Sequence, residues 1–255
     1  MMIPSEADAY KYALCIELLE DGFKCAIIEP KTKVVIFYNA LEFDSIDEAG
    51  LKEILSEPYF KHNYKTVSIS VSSSRHTIVP DAIFNASTAT DLFNLNHLSP
   101  IDNLDYRRLP ELGLVSIYEL PLWIKSVFIK HFLRAKVNHH STVLLKGIFS
   151  TSNYKPQAYV LKLSNLFYLA MTDKNKLVFF NAFESAAVED LVYYFLSTAE
   201  QKGFDPAELP LTVFGLGEGD QSFKALKDLL ANPVKIPESD RLQKQFILTN
   251  SLLCV

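Results

Sequence analysis

Apolar-rich runs separated by turn residues predict a three-stranded antiparallel meander near the start of the chain. Apolar runs flank Glu20-Asp21-Gly22 and predict a hairpin, because an Asp-Gly pair favours a tight turn and glycine tolerates positive φ. A helix and a fourth strand follow, which gives the order β-β-β-α-β. The predicted elements are the strands Ala13–Leu19, Phe23–Ile28, Val34–Leu41 and Thr66–Val71, and a helix over Asp47–Ser56.

The second half of the chain repeats this order of elements. Apolar residues at helical spacing, among them Leu191 and Phe195, predict a long helix that Gly203 is placed to end. A further helix is predicted from Ser222. The other predicted elements are the strands Ala158–Leu163, Phe167–Met171, Lys176–Ala182 and Leu211–Phe214, and the long helix covers Ala187–Lys202.

The third strands of the two halves share a six-residue pattern. One reads Phe37-Tyr38-Asn39-Ala40-Leu41-Glu42 and the other Phe179-Phe180-Asn181-Ala182-Phe183-Glu184. Asn, Ala and Glu are identical, the other three positions match in type, and a helix follows each time. Agreement of element order and residues predicts an internal duplication.

The stretch between the halves is less regular. Two prolines and many polar residues in Asn96–Leu112 predict a loop, and Gly113–Glu119 is predicted to be a strand. A helix from about Pro121 to His131 and another over Thr142–Phe149 complete the first half. The polar segment Thr151–Pro156 predicts a linker, so the two domains are expected to span residues 1–150 and 151–255.

Composition excludes several classes of protein. Of 255 residues, 49% are hydrophobic, which is too high a share for a disordered chain. The net charge of −5 gives no electrostatic basis for nonspecific nucleic-acid binding. Only 8 residues are glycine, about 3% against a usual share of about 7%, which argues against an enzyme built on glycine-rich phosphate loops.

The lack of a recognisable targeting signal and the pattern of cysteines predict a cytoplasmic protein. The N-terminus has no basic stretch followed by an apolar core, and no segment approaches the ~18 apolar residues of a membrane helix. Cys15, Cys25 and Cys254 show neither metal-ligand spacing nor a disulfide framework. The two cysteines on the first hairpin, Cys15 and Cys25, are expected to point to opposite faces of the sheet, since neighbouring side chains along a strand alternate.

Three segments resemble a bacterial family of unknown function. They are Arg75-His76-Thr77-Ile78-Val79-Pro80, Ala89-Thr90-Asp91-Leu92-Phe93, and the stretch from Leu177-Val178-Phe179-Phe180-Asn181 through Gly203-Phe204-Asp205. Through them the chain is similar to the DUF3822 family of Bacteroidetes over nearly its whole length. The duplicated order resembles the ribonuclease-H-like fold of the actin-like ATPases. The resemblance implies an α/β fold with two β-β-β-α-β-α halves around a cleft.

The same resemblance implies where phosphate would bind, and the residues there are unusual. Actin-like ATPases hold phosphates with one β-hairpin per half, each usually carrying Asp, Gly and Ser or Thr. Here the first turn is Glu20-Asp21-Gly22, while the second, around Ser164-Asn165, has neither carboxylate nor glycine. Phe23 and Phe167 are expected to put bulk where phosphate would sit. An intact ATPase is therefore not predicted.

A glycine-rich loop follows the last strand of the second half, where the superfamily places its adenosine loop. Three of the eight glycines, Gly215, Gly217 and Gly219, lie in it and precede a predicted helix. Such a loop can bring backbone close to a ligand. It is either a plain strand-to-helix connection or a degenerate cofactor-binding loop.

Other polar residues allow a structural and a functional interpretation. Glu17 on the first strand could be one carboxylate of a ribonuclease-H nuclease, but no second acid is clearly placed beside it, and its counterpart falls near Lys162. The pairs Arg75-His76 and Arg107-Arg108 could bind an anion or stack on RNA, and each is expected to be a polar loop. His139-His140 is expected to be solvated.

These observations predict the fold better than the function. The leading hypothesis is a non-catalytic cytoplasmic scaffold or partner-binding protein on a degenerate actin-like ATPase fold, a pseudo-ATPase with a protein partner. The alternative is a nucleotide-binding protein or weak ATPase that uses the cleft between the halves, with ATP and Mg²⁺ as its cofactors. No metal site, no membrane contact and no nucleic-acid partner are expected, and homo-oligomers stay an open alternative.

Overall fold

The structure is a computed structural model, and it describes residues 3–99, 101–185, 187–231, 234–236 and 245–255. The chain divides into two compact units. The first comprises Met1–Lys146 together with Ile247–Val255, and the second comprises Gly147–Phe246. The C-terminal residues therefore belong to the first unit, which no pattern in the sequence indicated.

The first unit is built on a five-stranded sheet. Its strands are β1 (Ala13–Leu18), β2 (Gly22–Ile28), β3 (Val35–Glu42), β4 (Thr66–Val71) and β8 (Lys136–His139). They lie in the order β3-β2-β1-β4-β8, with β1, β4 and β8 parallel. Helices α1 (Glu48–Ile54) and α3 (Leu122–His131) cover one face, where alternate strand residues form the main apolar core.

A smaller sheet is inserted between β4 and β8. It contains β5 (His76–Pro80), β6 (Leu104–Leu109) and β7 (Leu114–Glu119) in the antiparallel order β5-β7-β6, with helix α2 (Ala89–Asn94) packed beside it. Strand β6 lies within the segment predicted to be a loop, so that prediction is wrong there. The charged residues of β6 indicated a loop, but β6 is an edge strand, and edge strands often carry charged side chains.

The second unit has the same plan. Its strands β9 (Gln157–Lys162), β10 (Leu166–Asp173), β11 (Lys176–Glu184), β12 (Leu211–Phe214) and β13 (Val234–Lys235) lie in the order β11-β10-β9-β12-β13. Helices α5 (Val188–Gln201) and α6 (Gln221–Leu229) bury their apolar sides against one face. The identical strand order confirms the predicted duplication.

The shared hexapeptide occupies the same register in both units. Asn39 pairs with Cys25 on β2, and Asn181 pairs with Leu169 on β10, two residues beyond the equivalent Phe23 and Phe167. In both units the residue after the hexapeptide donates its N–H to a carbonyl in the neighbouring turn, at 3.1 Å and 2.8 Å. The repeated sequence therefore encodes the same edge strand twice.

Two further elements complete the chain. Helix α4 (His140–Phe149) begins directly after β8, two residues before its predicted start. Helix α7 (Phe246–Asn250) and a last helical turn, Ser251–Cys254, form the C-terminal segment. Leu248 and Leu252 of this segment pack on the face of the first sheet opposite α1 and α3.

Candidate functional site

The glycine-rich loop begins with a glycine that the fold requires. Gly215 has a φ of +85°, and a Cβ at this position would lie 2.1 Å from the carbonyl oxygen of Lys162. Strand β12 runs parallel to β9, so the loop leaves the sheet directly against the backbone of the β9–β10 hairpin. Close packing of two backbones explains this glycine without a ligand.

The rest of the loop forms hydrogen bonds with itself. The Gly217 N–H donates to the Asp220 carboxylate at 2.5 Å, and the Asp220 N–H donates to the Gly217 carbonyl at 3.0 Å. Leu216 is buried in the core of the unit. A Cβ at Gly219 would meet nothing within 4 Å, so only the tip of the loop is open.

The neighbouring hairpin turn presents carbonyl groups and a cation. The Lys162 ammonium donates to the carbonyls of Leu163 and Ser164, at 2.5 Å and 2.7 Å. The turn at Leu163–Asn165 contains no carboxylate, as the sequence indicated. Its charged group therefore lies against its own backbone, where two carbonyl dipoles hold it.

Phe23 and Phe167 do not fill a ligand position. Both are fully buried in the apolar cores under the helices of their own units. Phe23 packs edge-on against Phe60 with ring centroids 5.8 Å apart. The prediction that these rings occupy the phosphate position is wrong, because each lies on the core-facing side of its hairpin.

A row of polar side chains crosses the first sheet. In register, Lys24 on β2 lies beside Glu17 on β1, then Ser70 on β4 and Asn138 on β8. Residues directly opposite one another project from the same face. Glu17, Ser70 and Asn138 are buried, and Lys24 is half-buried at the end of the row.

Glu17 is the buried carboxylate of this row. Its oxygens lie 3.6 Å from Lys24 Nζ and 3.6 Å from His140 Nε2. Burial raises the pKa of Glu17, and the nearby Lys24 ammonium opposes that rise. The described strands of the second unit contain no such row: by hairpin register, Leu161 replaces Glu17, Tyr168 replaces Lys24 and Phe214 replaces Ser70.

The adjacent histidines are buried, so the prediction that they are solvated is wrong. His139 Nε2–H donates to the Ser73 carbonyl at 3.0 Å, and its Nδ1 accepts from the Ser141 hydroxyl at 2.8 Å. Ser141 in turn contacts the Ser116 hydroxyl at 2.7 Å. Burial lowers the pKa of both His139 and His140 to about 3, which keeps the two rings neutral.

His76 joins the same cluster and is not part of a polar loop. It begins β5, is buried, and stacks on the His139 ring with centroids 5.0 Å apart. Its neighbour Arg75 forms an ion pair with Glu119 across the small sheet. The Arg75-His76 pair, expected to be a polar loop, therefore lies at the start of a strand, and its cation is already paired.

The remaining candidates have structural partners. Arg107 lies half-buried on β6 and donates to the Cys254 carbonyl at 3.3 Å, while Arg108 forms an ion pair with Asp81. Cys15 and Cys25 lie on opposite faces of the sheet, as expected. Burial raises the pKa of each of these thiols to about 12, so neither is a ready nucleophile.

Sequence reasoning missed the polar cluster of the first unit. Glu17 and the His139-His140 pair were considered separately, because more than 120 positions separate them along the chain. A usable signal was present at Glu17, which is the one polar residue in the otherwise apolar strand Ala13–Leu18. Among the described residues, no group of three or more His, Cys, Asp or Glu side chains could hold a metal ion, and no helix is long and apolar enough to cross a membrane.

Comparison with known proteins identifies the fold. A family model described as "Protein of unknown function (DUF3822)" matches residues 5–232. A protein of unknown function with an actin-like ATPase fold, from Bacteroides thetaiotaomicron, superposes with a TM-score of 0.85 at 21% identity, covering 100% of both chains. A search of curated proteins found no match.

Two solved structures from bacterial assembly systems are also similar. The type IV pilus biogenesis complex PilM-PilN matches with a TM-score of 0.60 at 11% identity, over 95% of this chain and 97% of that one. The cytoplasmic domain of EpsL, an inner membrane component of the type II secretion system of Vibrio cholerae, matches with a TM-score of 0.57 at 13% identity, over 96% and 95%. The fold is thus the duplicated ribonuclease-H-like fold of the actin-like ATPases.

Proposed function

The chain belongs to the DUF3822 family, and we propose that it is a non-catalytic, cytoplasmic scaffold that binds a protein partner on an actin-like ATPase fold. The observation that carries this proposal is the internal hydrogen bonding of the glycine-rich loop. The Gly217 N–H, which a nucleotide held by this adenosine-type loop would need, donates to the Asp220 carboxylate. A carboxylate at that point also repels an incoming anion.

The first unit supports the same proposal. Glu17 is the one carboxylate on β1, and its negative charge is balanced by the Lys24 ammonium 3.6 Å away. A carboxylate that binds Mg²⁺ supplies a negative charge that the ion neutralises. A buried carboxylate paired with a lysine is poorly suited to that role, so the residues present do not fit an Mg-nucleotide.

Partner binding is the function that we propose for a chain whose glycine-rich loop and Glu17 carboxylate are poorly suited to a nucleotide. The PilM structure contains a partner, PilN, and EpsL is a component of a secretion system. Both are similar to this chain in fold alone, and they show that the fold occurs in protein assemblies. We propose a protein partner for this chain on that analogy, and leave its identity open.

A nucleotide-binding protein or weak ATPase is the second candidate. One observation favours it: the tip of the glycine-rich loop at Gly219 is open, and the loop precedes the N-terminus of α6. In this hypothesis Gly215, Gly217 and Gly219 hold the cofactor. Binding would require the Asp220 carboxylate to leave the Gly217 N–H.

The first prediction separates the two candidates by thermal unfolding. We expect the melting temperature of the full chain to be the same without ligand and with millimolar Mg-ATP or Mg-ADP. A ligand at 100 times its Kd would stabilise the folded protein by about 2.7 kcal/mol, which raises the Tm by roughly 5–10 °C in a chain of this size. The measurement is a thermal-shift titration with Mg²⁺ alone as the reference.

Gly217→Val serves as the control variant for that titration. A rise in Tm with nucleotide that disappears in Gly217→Val would support the nucleotide-binding candidate and refute the pseudo-ATPase. A rise that persists in the variant would place nucleotide elsewhere and would equally contradict our proposal. An unchanged Tm for both proteins agrees with it.

A further inference from the structure

The polar row of the first sheet contains oxygen atoms without protein partners. Ser70 Oγ and Asn138 Oδ1 are buried, and neither atom has a hydrogen-bond partner among the described residues. Both residues have no exposed surface, and they lie side by side in the register of β4 and β8. Nearly all buried polar atoms in folded proteins are hydrogen-bonded. We therefore expect these two atoms to bond to a molecule that is not part of the chain.

Glu17, the next residue in the row, gives a second and independent indication. Lys24 Nζ and His140 Nε2 both lie 3.6 Å from its carboxylate oxygens, beyond the 2.7–3.2 Å of a direct N–H···O bond. Polar atoms separated by slightly more than 3.5 Å are often bridged by water. The Lys24 ammonium balances the charge of Glu17, but buried carboxylate oxygens also need hydrogen-bond donors at direct distance.

We propose that a cluster of ordered water molecules is bound between Glu17, Ser70, Asn138 and His140. Water fits because it both donates and accepts, and because each molecule would find two to four polar partners in the row. The site is enclosed by protein on the side of Asn138 and ends at the half-buried Lys24. This inference is independent of the proposed function.

A neutral ligand suits this site better than a cation. The Lys24 ammonium already balances the charge of Glu17, and Ser70 and Asn138 contribute neutral oxygens. Glu17 is the only carboxylate in the row as the register defines it. A cation would therefore add an uncompensated positive charge to a buried position.

Ser70→Ala tests the proposal by the sign of its effect. If water is bound, the substitution removes a partner from a hydrogen-bonded network, and we expect the Tm to fall by about 3 °C. If the site is dry, the substitution removes an unpaired hydroxyl, and the Tm stays constant or rises. Fluorescence of Trp123, the single tryptophan, follows unfolding of the first unit in the full chain.

Ser68→Ala is the matched control, because Ser68 lies on the same strand and the same face. Its hydroxyl donates to the Ser251 carbonyl at 3.0 Å, so its removal shows what one satisfied buried hydroxyl contributes. A fall in the Tm of Ser70→Ala similar to that of Ser68→Ala supports bound water. An unchanged or raised Tm for Ser70→Ala, alongside a fall for the control, overturns the proposal.

A salt comparison distinguishes water from a bound cation. We expect equal Tm values for the unmodified protein in sodium, potassium and choline chloride at the same ionic strength. Specific stabilisation by sodium or potassium, lost in Ser70→Ala, would overturn the assignment of water. Electron density for ordered water beside Glu17 in a crystal would support it, and a dry site in well-defined density would refute it.

Discussion

Lowering the pH from 6.5 to 4.5 is expected to lower the free energy of unfolding of the first unit by about 5 kcal/mol. The effect comes from His139 and His140, whose pKa values are lowered to about 3 by burial. Each histidine with such a shift contributes up to about 1.4 kcal/mol per pH unit, and the two act together over two units. His76, whose pKa burial also lowers well below its usual range, acts in the same direction.

The sign follows from where protons bind. In the unfolded chain these histidines take up a proton near pH 6.5, whereas in the folded protein they stay neutral until about pH 3. The unfolded state therefore binds more protons between these values, and stability is lost as the pH falls through this window. Above pH 6.5 the contribution is fully present.

Glu17 works in the opposite direction but does not reverse the result. Its pKa in the folded protein is raised above 4.5 by burial, so its contribution is present below pH 4.5 and is lost as the pH rises through its folded value. Glu17 is one titrating group, whereas three buried histidines lose stability in acid. The net effect of acid is therefore destabilising.

Urea denaturation followed by Trp123 fluorescence at pH 6.5, 5.5 and 4.5 measures this dependence. His140→Gln removes one of the titrating groups, so its unfolding free energy should depend less steeply on pH, by about 1.4 kcal/mol per unit. A free energy of unfolding that does not change between pH 6.5 and 4.5 would show that these rings are hydrated in the folded protein.

Gly215→Ala is expected to destabilise the second unit by about 3 kcal/mol. The backbone there has a φ of +85°, which costs a residue with a side chain about 1–2 kcal/mol, and the new methyl group would meet the Lys162 carbonyl at 2.1 Å. That carbonyl belongs to the end of β9, so it cannot move without disturbing the hairpin. Overpacking of this kind adds about 1–3 kcal/mol.

Gly219→Ala is the control for Gly215→Ala. It lies four residues further along the same loop, and its Cβ would meet nothing within 4 Å. We expect an effect within about 0.5 kcal/mol of zero, as for most exposed substitutions. Chemical denaturation followed by circular dichroism, with hydrogen exchange of β9 and β12, measures both variants. Equal losses in the two would mean that the loop is sensitive to any added side chain.

Local pattern in the sequence determined the elements and the duplication. Strands β4 and β12 lie within the predicted bounds, and α5 lies within its predicted span. These features can be recognised in a single sequence because each depends on only a few neighbouring residues. They are the alternation of side chains, the turn at Glu20-Asp21 and the capping Gly203. The repeated hexapeptide added the relation between the halves.

The register of the first hairpin and the loop predicted at residues 96–112 show where local sequence pattern fails to predict the structure. A two-residue turn at Asp21-Gly22 would place Cys15 opposite Ile28, whereas Cys15 pairs with Ala26. The turn closes at Leu19 and Gly22, with Glu20 and Asp21 between them. A shift of two residues preserves the face of every side chain, so the core remained predictable although the pairing was not.

The tertiary structure alone decided the chemistry of the first unit. Glu17, Ser70 and His140 come from separate stretches of the chain, and only the pairing of β1 with β4 and the start of α4 bring them together. Burial then raises the pKa of the carboxylate and lowers that of the imidazole, which no local pattern encodes. The sequence by itself determined which segments form strands and helices, because those choices depend on neighbouring residues. Which polar groups are buried, paired or left for water depended on contacts between distant residues, and these exist only in the folded protein.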